Sequence, residues 1–333
     1  MKKLAFLVFI TVLAVACNDN GDGDDSPQGN VSPQSPTVKT DSTYGVNAVY
    51  DLEYAQGLSH TAPNSADTEV ISLKLDVYTP DNDLENRPLY MFIHGGGFVA
   101  GTKLQEAIVD FANYYTSRGW VFASIDYRVR DDVGTLPNEW LSFATNISPD
   151  SLGRFLAIYP AQRDAKAALR WLMANAETYG INKEFVTVGG GSAGGITAVA
   201  LGVSEPEDFT TEISLDQDPT LATTNLNQSY QVNTVIDFWG SAIALETYQE
   251  VFGPQRFDSN DPPIIIIHGT EDQTVPFEKA TELVTICETF NIPHAFYPLE
   301  GVGHAEWENT IAGIPLAKVV FDHIVDTQNL RVE

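Results

Sequence analysis

The segment Val186-Thr-Val-Gly-Gly-Gly-Ser-Ala-Gly-Gly195 is the most informative part of the sequence. An apolar strand pattern enters it, and the small-residue run Ile196-Thr-Ala-Val-Ala200, typical of a tightly packed helix, leaves it. A serine in so tight a strand-to-helix turn has a strained backbone, so its neighbours must be small. The turn places Ser192 at a helix N-terminus, which favours developing negative charge. We therefore interpret Ser192 as a nucleophile. A phosphate-binding glycine loop is the alternative, but the lysine of a P-loop is missing.

Strand and helix patterns alternate on both sides of this segment. Strands are predicted over 70–78, 89–93, 120–125, 185–188, 232–238, 264–267 and 294–297, and helices over 103–117, 160–179, 192–203, 276–290 and 306–327. This alternation predicts an α/β fold with a mostly parallel sheet of about eight strands and helices on both faces. We expect one domain over residues 43–333, because no repeat or linker interrupts them. Segments 128–158 and 204–230 fit neither pattern and are expected above the sheet, where binding loops and lids lie.

A second glycine-rich segment, His94-Gly-Gly-Gly-Phe98, directly follows the predicted strand 89–93. Consecutive glycines let backbone N–H groups approach a substrate oxygen without obstruction. A tetrahedral intermediate needs such donors, each worth roughly 3 kcal/mol of barrier. A flexible turn is the alternative, but a turn of this length rarely needs three glycines.

An acid and a base can be assigned in two later loops. Asp272 follows the apolar strand 264–267 and is placed to orient a histidine, with Glu271 as the neighbouring competitor. Asp237 is a more distant competitor that fits better as a structural residue at a strand end. Among the six histidines, elimination favours His304, in a loop before the last predicted helix.

The order Ser192, Asp272, His304, with the glycine loop upstream, resembles the α/β-hydrolase fold. Within that fold, His-Gly-Gly-Gly-Phe combined with Gly-x-Ser-Ala-Gly-Gly resembles the carboxylesterases and the hormone-sensitive-lipase-like esterases. The stretch 160–172 is similar to the helix that precedes the nucleophile strand in those enzymes. The sequence departs from the pattern at Gly191, where many relatives have Asp or Glu.

The resemblance implies an acyl-enzyme mechanism of ester hydrolysis. Ser192 would attack the ester carbonyl, His304 would remove its proton, and Asp272 would orient the histidine. The backbone N–H groups that the resemblance assigns to the oxyanion belong to Gly96, Gly97 and Ala193. No metal or organic cofactor is expected, because no His, Cys or Asp cluster has ligand spacing.

The expected substrate is a small-molecule or polymer-borne ester with a short acyl group or a carbohydrate or aromatic part. Phe98, Tyr127 and Trp239 lie near motif ends and are candidates for the pocket wall, with core packing as the alternative. A serine peptidase of the same fold would share the triad, and a catalytically inactive binding module would share the fold.

The charge balance excludes one class of partner. The 333-residue chain has 45 Asp+Glu against 18 Lys+Arg, a formal net charge of −27, and 43% hydrophobic residues. It can therefore bury a large core, whereas nucleic acid, which needs clustered Lys and Arg, is not an expected partner.

The N-terminal residues are typical of an export signal. Lysines 2 and 3 precede an apolar run over residues 4–15, too short to span a bilayer, and Cys17 follows small residues. Residues 1–16 resemble a bacterial lipoprotein signal peptide, which implies that Cys17 is lipidated; ordinary secretion is the alternative. Residues 17–42 are predicted to be a flexible acidic tether. We therefore expect an exported protein that is held at a membrane only through a lipid anchor.

Overall fold

The structure is a computed structural model that describes residues 34–333. An eight-stranded sheet forms its centre, and two pairs of short strands lie outside that sheet. The strands are β1 (Thr37–Val38), β2 (Val46–His60), β3 (Thr68–Pro80), β4 (Arg87–Ile93), β5 (Val121–Ile125), β6 (Ile181–Gly191), β7 (Thr234–Phe238), β8 (Ile264–Gly269), β9 (His294–Leu299), β10 (Thr310–Ile311), β11 (Ile314–Pro315) and β12 (Arg331–Val332). The large sheet has the order β2-β3-β5-β4-β6-β7-β8-β9. Strands β2 and β3 pair antiparallel, as do β3 and β5, and every other pair in this sheet is parallel. The predicted mostly parallel sheet is therefore confirmed.

Helices cover both faces of this sheet. They are α1 (Glu106–Thr116), α2 (Asn138–Ala144), α3 (Pro149–Ala174), α4 (Ala176–Tyr179), α5 (Ala193–Val203), α6 (Ile243–Phe252), α7 (Glu278–Phe290) and α8 (Leu316–Gln328), with 3-10 turns at Arg130–Asp132 and Pro219–Thr223. Side chains of α3, α5, α6 and α7 pack into one hydrophobic core, and those of α1 and α8 pack into a second core.

Strand β4 shows how a continuous apolar run builds both cores. Every residue of Arg87–Ile93 is buried. Leu89 and Met91 belong to the core beneath α3 and α5, whereas Tyr90 and Phe92 belong to the core beneath α1 and α8. Because successive side chains of a strand point to opposite faces, only a strand covered on both sides needs such a run.

Several elements differ from the sequence prediction, and helix α2, in a segment that fitted neither pattern, is one of them. Strand β2 was not predicted, because register shifts after Val49 and Glu53 interrupt the alternation of its buried and exposed residues. Helix α6 was also missed. Helix α3 begins at Pro149 rather than at Pro160, which lies inside the helix. The last helix begins at Leu316 rather than at residue 306, because β10 and β11 form a short hairpin first.

The predicted tether is too long at its C-terminal end. Strand β1 pairs in parallel with β12, Val38 is fully buried in the core beneath α1 and α8, and Lys39 Nζ lies 2.8 Å from a Glu333 carboxylate oxygen. The folded unit spans Ser35–Glu333, so it begins before the predicted boundary at residue 43. The single apolar Val38 fills a gap between distant elements, and no local pattern predicts that contact.

The predicted signal peptide, Cys17 and the tether up to residue 33 lie outside the described residues. Between residues 34 and 333, no helix is both long and apolar enough to cross a membrane.

Candidate active site

Ser192 lies in a sharp turn between β6, which ends at Gly191, and α5, which begins at Ala193. Its backbone has φ of 56° and ψ of −121°, a region that costs a non-glycine residue about 1–3 kcal/mol. The chain can turn so tightly because Gly194 has no side chain: a β-carbon there would lie 2.0 Å from the carbonyl oxygen of Ile93. The strain is held by the sheet, since Ser192 N–H donates to the Phe238 carbonyl at 2.8 Å. The turn therefore presents the Ser192 hydroxyl at the carboxyl edge of the sheet.

The structure brings the three predicted triad residues into contact. His304 Nδ1 lies 2.6 Å from Asp272 Oδ2, and His304 Nε2 lies 2.9 Å from Ser192 Oγ. Because a carboxylate only accepts, Nδ1 donates to Asp272, and Nε2 is then free to accept the serine proton. This geometry is that of a nucleophile, a general base and an orienting acid.

The Asp272 side chain is fully buried and is held by its own loop. Its Oδ1 accepts hydrogen bonds from the backbone N–H groups of Thr274 at 2.8 Å and Val275 at 3.0 Å. The other oxygen, Oδ2, is thereby directed towards His304. These contacts hold the carboxylate in position, which is what an orienting acid requires.

His268 is a supporting residue for which the sequence predicted no separate role. Its Nε2 donates to the Val275 carbonyl at 2.8 Å and lies 3.3 Å from Asp272 Oδ2. Burial lowers the pKa of His268, so the ring is neutral at neutral pH. It therefore closes the acid loop over Asp272 without adding a competing charge.

The two competing acids lie elsewhere. Glu271 is exposed, and its backbone N–H donates to the Val302 carbonyl at 3.0 Å. Asp237 is fully buried below the nucleophile turn, where a β-carbon on Gly195 would lie 2.4 Å from its Oδ1. Burial raises the pKa of Asp237 to about 7. Asp237 is therefore a packed group at a strand end, as the sequence indicated.

The glycine loop faces the nucleophile across the same cavity. Gly96 has φ of 125°, and a β-carbon there would lie 1.7 Å from the carbonyl oxygen of Ala100. Gly96 and Gly97 line the cavity together with Ser192, and Ala193 follows Ser192 as the first residue of α5. The three residues predicted to supply oxyanion donors therefore lie on two sides of the Ser192 hydroxyl.

His94 holds this loop in place. Its ring is 1% exposed and stacks on Tyr127 with centroids 4.3 Å apart, and its Nδ1 donates to the Gly95 carbonyl at 2.7 Å. The Tyr127 hydroxyl donates to the His94 carbonyl at 2.9 Å. Burial lowers the pKa of His94, so this residue is a neutral anchor.

The cavity above Ser192 has a volume of about 390 Å³. It is lined by Gly95, Gly96, Gly97, Gln105, Arg154, Gly191, Ser192, Trp239, Thr274, His304, Ala305 and Trp307. Of the three aromatic candidates, only Trp239 is on this wall; Phe98 and Tyr127 are buried in the core. Gln105, Arg154 and Trp307 were not predicted, because they lie in three separate segments without a motif.

The lining also explains the unusual Gly191. A β-carbon at this position would lie 2.7 Å from Trp307 Cζ2 and 3.2 Å from Trp239 Nε1. The two indole rings meet edge to face, with centroids 4.6 Å apart. The ring of Trp307, from the histidine loop, therefore fills the space beside position 191.

Metal ligation is not apparent in the part of the chain that the structure describes. There, no group of three or more His, Cys, Asp or Glu side chains is arranged to hold a metal ion.

Comparison with known proteins finds several esterases among the similar chains. Residues 75–139 and 154–253 match the BD-FAE family. Esterase LipC from Mycobacterium tuberculosis is 27% identical over 249 residues, which cover 69% of this chain and 56% of LipC. The para-nitrobenzyl esterase of Bacillus subtilis is 30% identical over 129 residues, which cover 39% of this chain and 24% of that enzyme. The chain thus spans little more than half of LipC and less of the second relative.

A solved structure gives the fold. Butyrate-bound esterase Est2 from the planctomycete Thermogutta terrifontis superposes with a TM-score of 0.55 at 23% identity, covering 77% of this chain and 89% of Est2. With its mainly parallel eight-stranded sheet and helices on both faces, the chain has the α/β-hydrolase fold.

Proposed function

We propose that this protein is a serine carboxylic-ester hydrolase that works through an acyl-enzyme. The observation that carries the proposal is the chain of contacts from Asp272 through His304 to Ser192, at 2.6 and 2.9 Å. The names of the relatives, all esterases among those above, support the same reaction class.

The mechanism follows from the positions of these groups. His304 Nε2 takes the Ser192 proton as Oγ attacks the ester carbonyl, and it returns that proton to the leaving alcohol. Asp272 holds the histidine tautomer and stabilises the imidazolium. The N–H groups of Gly96, Gly97 and Ala193 are proposed to stabilise the oxyanion. Water then attacks the acyl-enzyme, with His304 again as the base, and releases the acid.

The size and walls of the cavity favour small esters. Its volume of about 390 Å³ is near the lower end of ligand pockets, which run from about 300 to 1,000 Å³. Trp239 and Trp307 present aromatic faces that suit a short acyl group or an aromatic part. Short-acyl, carbohydrate and aromatic esters are therefore the proposed substrates.

The test compares the folded chain from residue 34 onwards with its Ser192→Ala variant on p-nitrophenyl esters from acetate to palmitate. We expect the wild type to prefer short chains, and the variant to lose at least about 10³-fold in kcat/KM with unchanged circular dichroism. Paraoxon should transfer its diethylphosphoryl group to Ser192 and release p-nitrophenolate, and mass spectrometry should find the adduct only in the wild type. Cleavage of peptides but not esters would favour a serine peptidase, and absence of adduct and turnover would favour an inactive binding module.

We also propose that the protein is exported and lipidated at Cys17. The proposal rests on the signal-like residues 1–16 and the cysteine that follows them. Expression of the full chain in a bacterium fed radiolabelled palmitate should label the wild type and not a Cys17→Ser variant. Release of unlabelled protein into the soluble exported fraction would support ordinary secretion instead.

A further inference from the structure

The active-site cavity contains a guanidinium group that pairs with no other residue between 34 and 333. Arg154, near the start of α3, lines the cavity with Ser192 and His304. No hydrogen bond or ion pair joins its side chain to another residue between 34 and 333. Each of the other arginines in that range donates at least one hydrogen bond through its side chain. Arg154 is therefore available to a ligand.

Neighbouring cations are neutralised by the protein itself. Lys103, just beyond the glycine loop, lies 3.1 Å from a carboxylate oxygen of Asp51 and 3.0 Å from one of Asp76. Arg130 passes beside α3, since a β-carbon on Gly153 would lie 2.7 Å from its Cδ, and its Nε donates to Asp131 at 2.7 Å. Arginines that lack a carboxylate partner, such as Arg118 and Arg170, instead donate hydrogen bonds to carbonyl and hydroxyl oxygens, whereas Arg154 has neither kind of partner among residues 34–333.

The cavity wall contains donors but no carboxylate. None of the residues that line it is Asp or Glu, although the chain has a formal net charge of −27. The side chain of Gln105 has no hydrogen-bond partner among residues 34–333. Trp239 is fully buried, and its indole N–H has no acceptor there. Because that indole N–H is buried, the donors that the wall offers to a ligand are the side chains of Arg154 and Gln105.

We propose that the ester substrate carries a carboxylate group, which Arg154 binds while Ser192 attacks the ester carbonyl. This inference rests on the proposed esterase function and adds the substrate class. A guanidinium matches a carboxylate with two parallel hydrogen bonds, and one unpaired cation balances one negative charge. A doubly charged phosphate would need further cations, and the described lining offers none.

The overall charge of the protein gives Arg154 a second effect. A net charge of −27 repels anionic substrates, so a local cation at the cavity raises their concentration near Ser192. Because Arg154 is exposed, this attraction is screened by salt. The preference for an anionic ester therefore depends on ionic strength.

The experiment uses two matched pairs of esters, because the carboxylate can lie on either side of the scissile bond. Monoethyl succinate against ethyl 4-methylpentanoate tests the acyl side. The 4-acetoxybenzoate anion against its methyl ester tests the alcohol side. We compare kcat/KM for the wild type, Arg154→Gln and Arg130→Gln, an arginine beside the same helix whose partner is Asp131. For each protein, we divide kcat/KM for the anionic ester by kcat/KM for the neutral ester. Comparison of this ratio between proteins removes the difference in intrinsic reactivity between the two esters.

We expect Arg154→Gln to lower kcat/KM about five- to tenfold for the anionic ester of one pair, mainly through KM, and to leave neutral esters within about twofold. Arg130→Gln should change neither, and 0.5 M NaCl should remove the wild-type preference but not affect the variant. An equal loss on both esters, or no selective loss in either pair, overturns the proposal. Titration of Ser192 with paraoxon distinguishes failure of the Arg154 proposal from failure of the esterase proposal. If the adduct forms and neutral esters are hydrolysed, but Arg154→Gln does not selectively affect anionic esters, only the role of Arg154 is rejected. Absence of the adduct rejects the esterase itself.

Discussion

At the scale of single residues, the site depends on side chains that fit each other closely. Trp307 lies three residues after His304 and fills the space beside Gly191, so the histidine loop and the nucleophile turn are packed together. A side chain at position 191 and the Trp307 ring therefore cannot occupy this space together. Glycine at position 191 therefore leaves room for the Trp307 ring beside the nucleophile turn.

This packing predicts a specific coupling. Gly191→Ala should lower the free energy of unfolding by about 1–3 kcal/mol, because its β-carbon would lie 2.7 Å from Trp307 Cζ2. In a Trp307→Ala background the same substitution should cost less, and removal of the ring should allow longer acyl chains into the cavity. Urea denaturation of both single variants and the double variant measures the coupling. Strictly additive effects would show that the ring does not occupy the space beside position 191.

The acid of the triad has its own test. Asp272→Asn should lower kcat by about 10⁴-fold, because the amide can no longer hold His304 in the tautomer that accepts the serine proton. The neighbouring exposed Glu271 provides the control, and Glu271→Gln should retain full activity. The reverse result would exchange the assignment of the acid.

At the scale of secondary-structure elements, the strands that bear the site are those with continuous apolar runs. Strands β4, β6 and β8 end in the glycine loop, the nucleophile turn and the acid loop, and each ending was predicted to within a few residues. Elements that depend on distant partners were missed. Strand β2 alternates irregularly, and β1 is only two residues long and pairs with β12 at the other end of the chain.

The β1–β12 pair predicts where the stable domain begins. A chain starting at residue 43 should be less stable than one starting at residue 34 by about 2 kcal/mol, since burial of a valine side chain is worth about 1.5–3 kcal/mol. Differential scanning calorimetry of both chains measures the loss. Lys39→Gln in the longer chain is the control and should have little effect, because its ion pair with Glu333 is at the surface. Equal melting temperatures would mean that β1 contributes nothing to stability.

At the scale of the whole molecule, buried carboxyl groups make stability depend on pH. Burial raises the pKa of Asp237 to about 7, well above that of an unfolded chain. Between about pH 4 and 7 the unfolded state has lost this proton while the folded state keeps it, so stability falls as pH rises and levels off above pH 7. Burial also raises the pKa of Asp261 to about 7, and that group acts in the same window.

Asp237→Asn isolates the first contribution. The free energy of unfolding of the variant, minus that of the wild type, should rise by about 1.4 kcal/mol per pH unit between pH 4 and 7 and then remain constant. Urea denaturation at a series of pH values measures this difference, in which the contribution of Asp261 cancels. A difference that does not change with pH would show that the folded Asp237 is ionised throughout.

The sequence by itself determined the fold class and predicted the nucleophile Ser192, the histidine His304 and the loop that supplies the acid. It could do so because each of these groups lies in a loop directly after an apolar strand or before a helix, and parallel strands place such loops at one edge of a sheet. Only the tertiary structure decided that Asp272, rather than Glu271, contacts His304, since adjacent side chains in a loop point in different directions. It also decided that Arg154 and Trp307 meet at the cavity. Those two residues are far apart in the chain, and packing between helices and loops, which has no local signature, brings both of them to the cavity wall.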